Sequence, residues 1–367
     1  MNLAHKIRIY PNKKQITNLK KACGVSRYTY NWALAKWNEL YNQGIKTNGF
    51  ELKKIWNQEK PEWVYESPKD ANQRPFANLN KAFQRFFKKK ARYPRFKKKG
   101  NNDSFYISND KMVLKNGKIN IYKIGWLKLS EELRFKGKIL SATVSNKADQ
   151  WFISITVDVI DYKKERTNDE IIGIDLGLKE AITCSNGIQI QAPKPFKKQK
   201  NKIAKLNRRL ARKKKGSKNR NKQKVKLQKA YLKLSNIRND FWHKVSSKLC
   251  NENQVICLED LAVANMLKNH KLAFSLADVG LGVFYQLIEY KSKIWDNTIN
   301  YVDRFFPSSK KCSNCGNIKD KLSLNERIYI CEVCGFKLDR DINASKNIRT
   351  EGLSGTCLGN LANASGH

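Results

Sequence analysis

Four cysteines form two Cys-x-x-Cys pairs, Cys312/Cys315 and Cys331/Cys334, and a glycine follows the second cysteine of each pair. Each pair turns tightly enough to direct two thiolates at one ion. Four thiolates with no spare coordination position predict one closed, structural Zn²⁺ site. A redox pair, an iron–sulfur cluster and four unrelated buried cysteines are the alternatives. One Cys-x-x-Cys pair would suffice for redox chemistry, so the doubled motif favours zinc.

Acidic residues far apart in the sequence supply a second possible metal site. Asp175 and Glu259 each end an apolar, strand-like run, and Asp341 opens a helix just after the cysteines, with Asp339 as an alternative to it. Alone, each aspartate could be a turn former or a helix N-cap, whereas a buried glutamate without a cation is costly. Together, Asp175, Glu259 and Asp341 could hold two divalent cations about 4 Å apart.

Such a pair of ions suits phosphodiester hydrolysis. One ion activates the attacking water and the other stabilises the leaving oxygen. Hard oxygen ligands favour Mg²⁺ or Mn²⁺ over Zn²⁺. The histidines are scattered and offer no matching ligand set; they are His5, His243, His270 and His367.

The net charge of +41 over 367 residues predicts a polyanionic partner, for which nucleic acid is the usual candidate. A membrane-surface protein could also be basic, but we find no amphipathic anchor, lipidation signal or spanning segment, so we expect no membrane association. Residues 1–14 lack the apolar core of a signal peptide. Nine cysteines, four of them in the paired motif, fit a reducing compartment. We therefore expect a cytoplasmic protein.

Residues 88–99 form the first of two cationic segments, in which eight of twelve residues are basic and two aromatic residues are interleaved. A solvated helix end is the alternative, but Pro94 breaks the helix. Aromatic side chains among cations suit base stacking and phosphate neutralisation. The candidate nucleic-acid contacts here are Lys88, Lys89, Lys90, Arg92, Tyr93, Arg95, Phe96, Lys97 and Lys98.

The second cationic segment spans residues 194–238 and contains twenty Lys and Arg residues, with no acidic residue anywhere between Glu180 and Asp240. Apolar residues keep helical spacing on both sides of Gly216-Ser217, which predicts a helical hairpin with one packed and one cationic face. The absence of compensating acids favours a phosphate-binding surface over a merely solvated one. Candidate contacts are Arg208, Arg209, Arg212, Lys213 and Lys214.

The elements that must position these residues divide the chain into regions of different periodicity. Residues 1–10 alternate as a strand, and 11–100 read as a helical bundle in which Gly24 ends the first helix. Residues 101–168 predict a small β domain, a barrel that the first strand completes, followed by a charged linker at 161–169. An α/β region begins at 169, with three antiparallel strands first. The tail from 351 to 367 is expected to be flexible.

Several motifs, taken together, resemble the TnpB family of insertion-sequence proteins, relatives of the type V CRISPR effectors. The resemblance covers residues 1–350. The motifs are Gly173-Ile174-Asp175-Leu176-Gly177, Leu258-Glu259-Asp260-Leu261, Pro307-Ser308-Ser309-Lys310-Lys311-Cys312, Asp339-Arg340-Asp341-Ile342-Asn343-Ala344 and Tyr93-Pro94-Arg95-Phe96-Lys97. Ser345 departs from an alanine often found in the family, which is a small-for-small change.

This resemblance implies a transposon-encoded, RNA-guided DNA endonuclease. It implies an α/β multidomain chain with a RuvC-like, RNase H-type nuclease domain at 169–307 and 337–350, interrupted by a zinc ribbon at 308–336. It makes Asp175, Glu259 and Asp341 the catalytic acids. The β domain (1–10 and 101–168) would be the wedge and 11–100 the recognition domain.

The same resemblance implies a prokaryotic, nucleoid-associated protein, and it implies the partners. The wedge and recognition domains would hold a guide RNA made from the element's end and read a short motif beside a double-stranded DNA target, with one protein copy on each RNA. Guide pairing would supply most of the sequence specificity.

Three other functions are compatible with parts of the sequence. A guided DNA-binding repressor would lack acids of the triad, and all three are present. A transposition strand transferase with a tyrosine nucleophile would need a paired-histidine motif, which the sequence does not contain. A purely structural zinc-ribbon RNA-binding protein would not need the triad.

Overall fold

The computed structural model describes residues 1–100, 102–160, 162–323 and 325–354. The chain divides into two compact units, Met1–Asp161 and Tyr162–His367. The charged linker predicted at 161–169 begins at this boundary.

The first unit contains a sheet and a group of helices. Its elements, in chain order, are β1 (Asn2–Tyr10), α1 (Lys13–Asn42), α2 (Gly49–Glu59), α3 (Lys69–Phe87), β2 (Ser104–Ser108), β3 (Met112–Lys115), β4 (Lys118–Ile121), β5 (Gly125–Leu129), β6 (Lys138–Lys147) and β7 (Gln150–Asp158), with short 3₁₀ helices at Glu62–Glu66 and Asn109–Lys111. The alternation predicted for the first strand is confirmed, since its odd-numbered residues from Leu3 to Ile9 are buried.

Helix α1 corrects one prediction, because it continues through Gly24 without a break. Asn12 and Gln15 form a capping box at its start. A methyl group at Gly24 would meet only the Arg27 guanidinium at 3.8 Å, so the backbone does not require glycine there. Glycine costs a helix about 1 kcal/mol. The buried face on both sides of it, from Leu19 to Trp37, outweighs that cost.

Among the described residues of this unit, seven strands form one antiparallel sheet in the order β2-β6-β7-β1-β5-β4-β3. The N-terminal strand β1 lies at its centre, paired with β7 and β5. This order is a single series from β2 to β3, so closure into a barrel stays a prediction. Strand β3, which sequence periodicity did not indicate, pairs with β4 across a turn at Asn116 and Gly117, where both residues have positive φ.

The second unit is an α/β assembly followed by a small two-stranded sheet. Its elements are β8 (Glu170–Asp175), β9 (Ile182–Cys184), β10 (Gln189–Ile190), α4 (Pro195–Ala211), α5 (Lys218–Glu252), β11 (Asn253–Glu259), α6 (Val263–Met266), α7 (His270–Val279), α8 (Leu281–Trp295), β12 (Thr298–Val302), β13 (Ile328–Ile330), β14 (Lys337–Asp339) and α9 (Arg340–Ser354).

The main sheet of this unit has the order β10-β9-β8-β11-β12. Strands β8, β9 and β10 are antiparallel, as predicted. Strands β8, β11 and β12 are parallel, so their carboxyl ends lie at one edge. That edge is where an α/β sheet usually places its ligands.

Helix α9 lies directly on this sheet. A Cβ atom at Gly173 in β8 would be 2.1 Å from the carbonyl oxygen of Ser345, so only glycine permits the contact. A Cβ at Gly352 would be 2.6 Å from Cys257 Sγ in β11. The side-chain amide of Asn300 in β12 also donates to the Gly352 carbonyl (2.9 Å). The flexible tail predicted from 351 is therefore wrong for 351–354, and its remaining residues lie outside the described part of the chain.

The predicted helical hairpin is confirmed as α4 and α5, which pack through buried Ile203, Leu227 and Leu234. The α4 start has a left-handed Lys194 and no cap from its own segment. Instead, the buried carboxylate of Asp278 in α7 accepts from the Phe196 and Lys197 amides (2.8 and 2.9 Å), and this stabilises the helix N-terminus.

Within the described residues, no single helix combines the length and apolar character needed to cross a membrane. Helices α7 and α8 meet that test only as a pair, with a bend of 43° between them.

Candidate metal centres and nucleic-acid surface

Two of the three predicted acids lie side by side at the edge of the main sheet. Asp175 ends β8 and Glu259 ends β11, and the parallel register places Ile174 opposite Leu258, one residue earlier in each strand. On its other side Asp175 pairs with Thr183 of β9. Burial, and then the charges of Glu259 and Asp341, raise the pKa of Asp175 to about 7. All three carboxylates therefore contribute to one electrostatic environment.

Glu259 is held at both its side chain and its backbone. The Ser308 hydroxyl donates to Glu259 Oε1 (2.5 Å), and the Tyr285 hydroxyl donates to the Glu259 carbonyl (2.6 Å). Burial raises the pKa of the Glu259 carboxyl, while the hydrogen bond from Ser308 opposes that rise. The strand end and one carboxylate oxygen are thus fixed before any ligand arrives.

The structure gives Asp339 and Asp341 different roles. Asp339 precedes α9, and its Oδ1 accepts from the amides of Asp341 and Ile342 (3.0 and 3.1 Å), which makes it the helix cap. The Asp341 carboxylate instead accepts two bonds from the Arg340 guanidinium (3.1 and 3.0 Å). Asp341 also acts on Asp175 electrostatically. This difference favours Asp341 over Asp339 as the third acid.

The donor set fits hard divalent cations, because three carboxylates share one environment in which burial, and then the charges of the other two acids, raise the pKa of Asp175. The three carboxylates are less tightly grouped than the cysteine sulfurs. Among the described residues, the four cysteines alone form a group of three or more possible metal ligands whose ligand atoms all lie within 4.8 Å of one another. Asp341 forms ion pairs with Arg340 and, at 3.8 Å, with Arg327. These two guanidinium groups offset the negative charge of its carboxylate.

The four predicted zinc ligands are gathered at one point, with all four Sγ atoms within 4.8 Å of one another. The Cys312–Cys334 and Cys315–Cys331 sulfurs are 3.8 and 3.5 Å apart. A tetrahedral ion with Zn–S bonds of about 2.3 Å separates its sulfurs by about 3.8 Å, so the cluster fits Zn²⁺. Hydrogen bonding from the Cys334 backbone amide is the main factor that lowers the pKa of Cys331 to about 6, which favours the thiolate.

The base of the ribbon is attached to α9 by two buried asparagines, Asn343 and Asn347, which are 0% and 3% exposed. Both amide groups donate to the Lys311 carbonyl (2.7 and 2.6 Å), and Asn347 also donates to the Ser308 carbonyl (2.8 Å). The Asn343 Oδ1 accepts from the Ser313 amide (3.0 Å). We call Asn343 and Asn347 the asparagine clamp.

The cationic segment 88–99 is partly committed to contacts within the protein. The Tyr93 hydroxyl donates to Asn38 (2.6 Å), and its ring meets Phe83 and Phe86 edge to face. Lys97 lies over the Tyr30 ring at 4.0 Å, and burial lowers its pKa. Tyr93 and Phe96 are nevertheless 45% and 54% exposed, so part of each ring stays accessible to solvent.

The other predicted contacts in that segment are exposed; they are Lys88, Lys89, Lys90, Arg92, Arg95 and Lys98. So are the five candidates in the α4–α5 hairpin, Arg208, Arg209, Arg212, Lys213 and Lys214. Arg220 differs, because its guanidinium donates to the Leu210 and Lys213 carbonyls (2.7 and 2.8 Å) and so stabilises the end of α4.

A cavity of about 780 Å³ lies in the first unit, and sequence reasoning missed it. Cations, amides and phenol rings share its wall, a mixture that suits phosphates and bases. Among its lining residues are Lys60, Tyr65, Lys69, Asn72, Gln73, Lys111, Asn120, Tyr122 and Lys123. No short motif joins them, because they come from separate helices and strands.

Sequence reasoning also missed the residues that support the acids. Ser308 and Tyr285 are common residue types with no diagnostic spacing. The asparagine clamp did carry a signal in the sequence, namely two asparagines four residues apart. Such residues lie on one helix face, and a polar pair on a packed face requires hydrogen-bond partners.

The raised pKa of Asp175 predicts a stability effect. Because the folded state binds this proton more tightly than the unfolded state, whose ordinary value is 3.8, stability should fall as pH rises from about 4 to about 7. Asp175→Asn cannot ionise. It should therefore stabilise the protein at pH 8 by a few kcal/mol without added Mg²⁺, and by less at pH 5.5.

Urea unfolding at pH 5.5 and pH 8 measures this difference. Asp260→Asn is the matched control, because Asp260 follows Glu259 but is 52% exposed and paired with Arg304. Equal stability of Asp175→Asn and the parent protein at pH 8 would contradict the electrostatic account.

Three known families match parts of this sequence. The family described as "Probable transposase" matches residues 152–270, and "Cas12f1-like, TNB domain" matches 282–348. A "Helix-turn-helix domain" family matches residues 1–46, which here form β1 and the continuous helix α1.

Similar proteins match across nearly the full chain. A Streptomyces pristinaespiralis protein whose name describes an RNA-guided DNA endonuclease is 32% identical over 97% of this chain and 90% of its own. The Escherichia coli K12 protein InsQ, named in the same terms, is 29% identical over 98% and 94%.

Among solved structures, Cas12f1 in its complex with guide RNA and target DNA matches with a TM-score of 0.58 and 14% identity, over 95% of this chain and 98% of that one. This likeness concerns the fold. The match to the Streptomyces protein, together with the "Probable transposase" and "Cas12f1-like, TNB domain" families, shows that this chain belongs to the TnpB family.

Proposed function

We propose that this protein is an RNA-guided DNA endonuclease that hydrolyses DNA with the acids Asp175, Glu259 and Asp341. The observation that carries the proposal is the junction of β8, β11 and α9, where burial and the charges of Glu259 and Asp341 together raise the pKa of Asp175. A carboxyl group whose pKa is raised by burial and by neighbouring acids is typical of functional sites, and such a group is suited to binding cations. The names of the similar proteins supply the substrate class.

In this proposal the acids act as ligands of two Mg²⁺ or Mn²⁺ ions. When bound, the ions activate water and stabilise the leaving oxygen. Asp175 and Glu259 present their carboxylates from neighbouring strand ends, and Asp341 does so from the first turn of α9. Tyr285 fixes the end of β11 through the Glu259 carbonyl. The main sheet would then be the RuvC-like, RNase H-type core.

We further propose that the first unit binds guide RNA and reads the motif beside the target. The cavity of about 780 Å³ supports this, because Lys69 and Gln73, one helical turn apart in α3, share its wall with Asn120 and Tyr122. Amide side chains can pair with base edges and lysines with phosphates. The exposed cations of the α4–α5 hairpin would follow the nucleic-acid backbone.

Cleavage of a plasmid tests this function. The protein is purified with its bound RNA, the RNA is sequenced, and a plasmid carrying the matching target is incubated with Mg²⁺. We expect cleavage at the target only. Stable target binding without cleavage would instead indicate a guided DNA-binding protein, and absence of bound RNA would contradict the proposal.

Nucleic-acid affinity should depend steeply on salt. If six to ten phosphates are contacted, RNA affinity should fall by about 10³–10⁵ between about 50 and 200 mM salt. Arg209→Gln, which removes an exposed cation of α4, should reduce the slope of log affinity against log salt by about 1. Filter binding across a salt series measures both quantities.

Lys244→Gln is the matched control for that series. Lys244 lies in α5 and is exposed, but it is paired with Asp240 at 2.8 Å. Its removal should change the slope less than Arg209→Gln does. A flat salt response of the parent protein would contradict a phosphate-binding role for the hairpin.

A further inference from the structure

Ser308 is a buried hydroxyl, 7% exposed, in the loop between β12 and the ribbon cysteines. Its hydroxyl donates to Glu259 Oε1 at 2.5 Å. A hydrogen bond to an ionised carboxylate is among the stronger ones in proteins. Because one oxygen of Glu259 accepts this bond, the rotation of the carboxylate is restricted and the second oxygen has a defined direction.

The position of Ser308 is itself fixed. Its amide donates to the Phe306 carbonyl (2.8 Å), and its carbonyl accepts from Asn347 of the asparagine clamp (2.8 Å). The clamp belongs to α9, the helix that presents Asp341 near its start. Helix α9 in turn packs against β8 through Gly173. These contacts therefore fix the position of Ser308 relative to β8 and α9, the elements that carry the other two acids.

We propose that Ser308 is a positioning residue, which orients Glu259 for divalent-cation binding. This inference rests on the proposed function in that it takes Glu259 as a metal ligand. Ser308 would not touch the cation or the DNA. Partners that orient metal ligands in this way typically contribute about 10–100-fold to metal affinity.

The direct test is a titration of Mn²⁺ into the full-length, zinc-loaded protein without nucleic acid. The electron paramagnetic resonance signal of free Mn²⁺ reports how much of the metal is bound. Ser308→Ala should weaken Mn²⁺ binding by about 10-fold or more. Ser308→Thr keeps the hydroxyl and should bind Mn²⁺ more tightly than the alanine variant does. Ser292→Ala is the matched control, because Ser292 is also 7% exposed but donates to the Glu289 carbonyl in α8.

Mn²⁺ affinity of Ser308→Ala equal to that of the control would overturn the inference, as would a threonine variant no better than alanine. Thermal unfolding of each variant identifies a general loss of structure, which the positioning role does not predict. In the RNA complex, Ser308→Ala should also need more Mg²⁺ for half-maximal cleavage. The binding titration does not depend on cleavage, so it distinguishes failure of this inference from failure of the proposed nuclease function.

Discussion

Asp175→Ala is expected to lower the DNA cleavage rate by about 10³-fold or more and to leave guide RNA binding unchanged. Asp175 ends β8 beside Glu259, and its charge is coupled to both other acids. Its loss would remove several kcal/mol of metal-dependent charge stabilisation, and each 1.36 kcal/mol corresponds to a factor of ten in rate. Single-turnover cleavage and RNA filter binding measure the two effects.

Two controls make this result specific. Asp260→Ala removes an exposed, paired acid next to Glu259 and should cleave at nearly the parent rate. Asp339→Ala removes the α9 cap, so it should cost about 1 kcal/mol of stability but retain much of the cleavage that Asp341→Ala loses. Cleavage that persists in Asp175→Ala would refute the assignment of the catalytic acids.

Removal of zinc is expected to abolish cleavage as completely as loss of an acid. Apart from the cysteines, the ribbon core consists of buried Tyr329 with partly buried Leu322 and Phe336, which is too little apolar surface to fold alone. Zinc binding in comparable small domains contributes about 10–16 kcal/mol of folding free energy. An unfolded ribbon would release β14, which leads directly into α9 and Asp341.

The experiment strips zinc with a chelator, removes the chelator and then restores single metals. Mg²⁺ alone should not recover cleavage, whereas Zn²⁺ followed by Mg²⁺ should. Mock-treated protein taken through the same steps is the control. Normal cleavage by zinc-free protein supplied with Mg²⁺ would show that the ribbon and Asp341 are not coupled.

Local sequence patterns predicted the parts of the site that obey simple geometry. Apolar runs that end in Asp175 and Glu259 indicated strands with acids at their ends, and parallel strands bring such ends together. The cysteine spacing predicted the observed cluster. By contrast, the sequence did not decide between Asp339 and Asp341, because both are close enough to the start of α9 to cap it. The structure decides, since Asp339 is the carboxylate that accepts the helix amides.

Features that depend on tertiary packing were missed or wrong. Gly24 was expected to end a helix, but burial on both sides of it sustains α1. The contacts of Tyr93 with Asn38 and two phenylalanines had no signal in the sequence. Ser308 lies 49 residues from its partner Glu259. No local pattern records such long-range contacts, because they arise only when the elements assemble.

The seating of α9 against Gly173 has a consequence for synthesis of the protein. Asp175 and Asp341 are separated by 165 intervening residues, which a ribosome translating about 5–20 residues per second needs roughly 8–33 s to add. The first unit ends before Asp175 and is complete in the chain throughout that interval. A nascent chain therefore has its N-terminal unit available for folding well before its third acid exists, so any contact with RNA made by that unit can precede the ability to cut DNA.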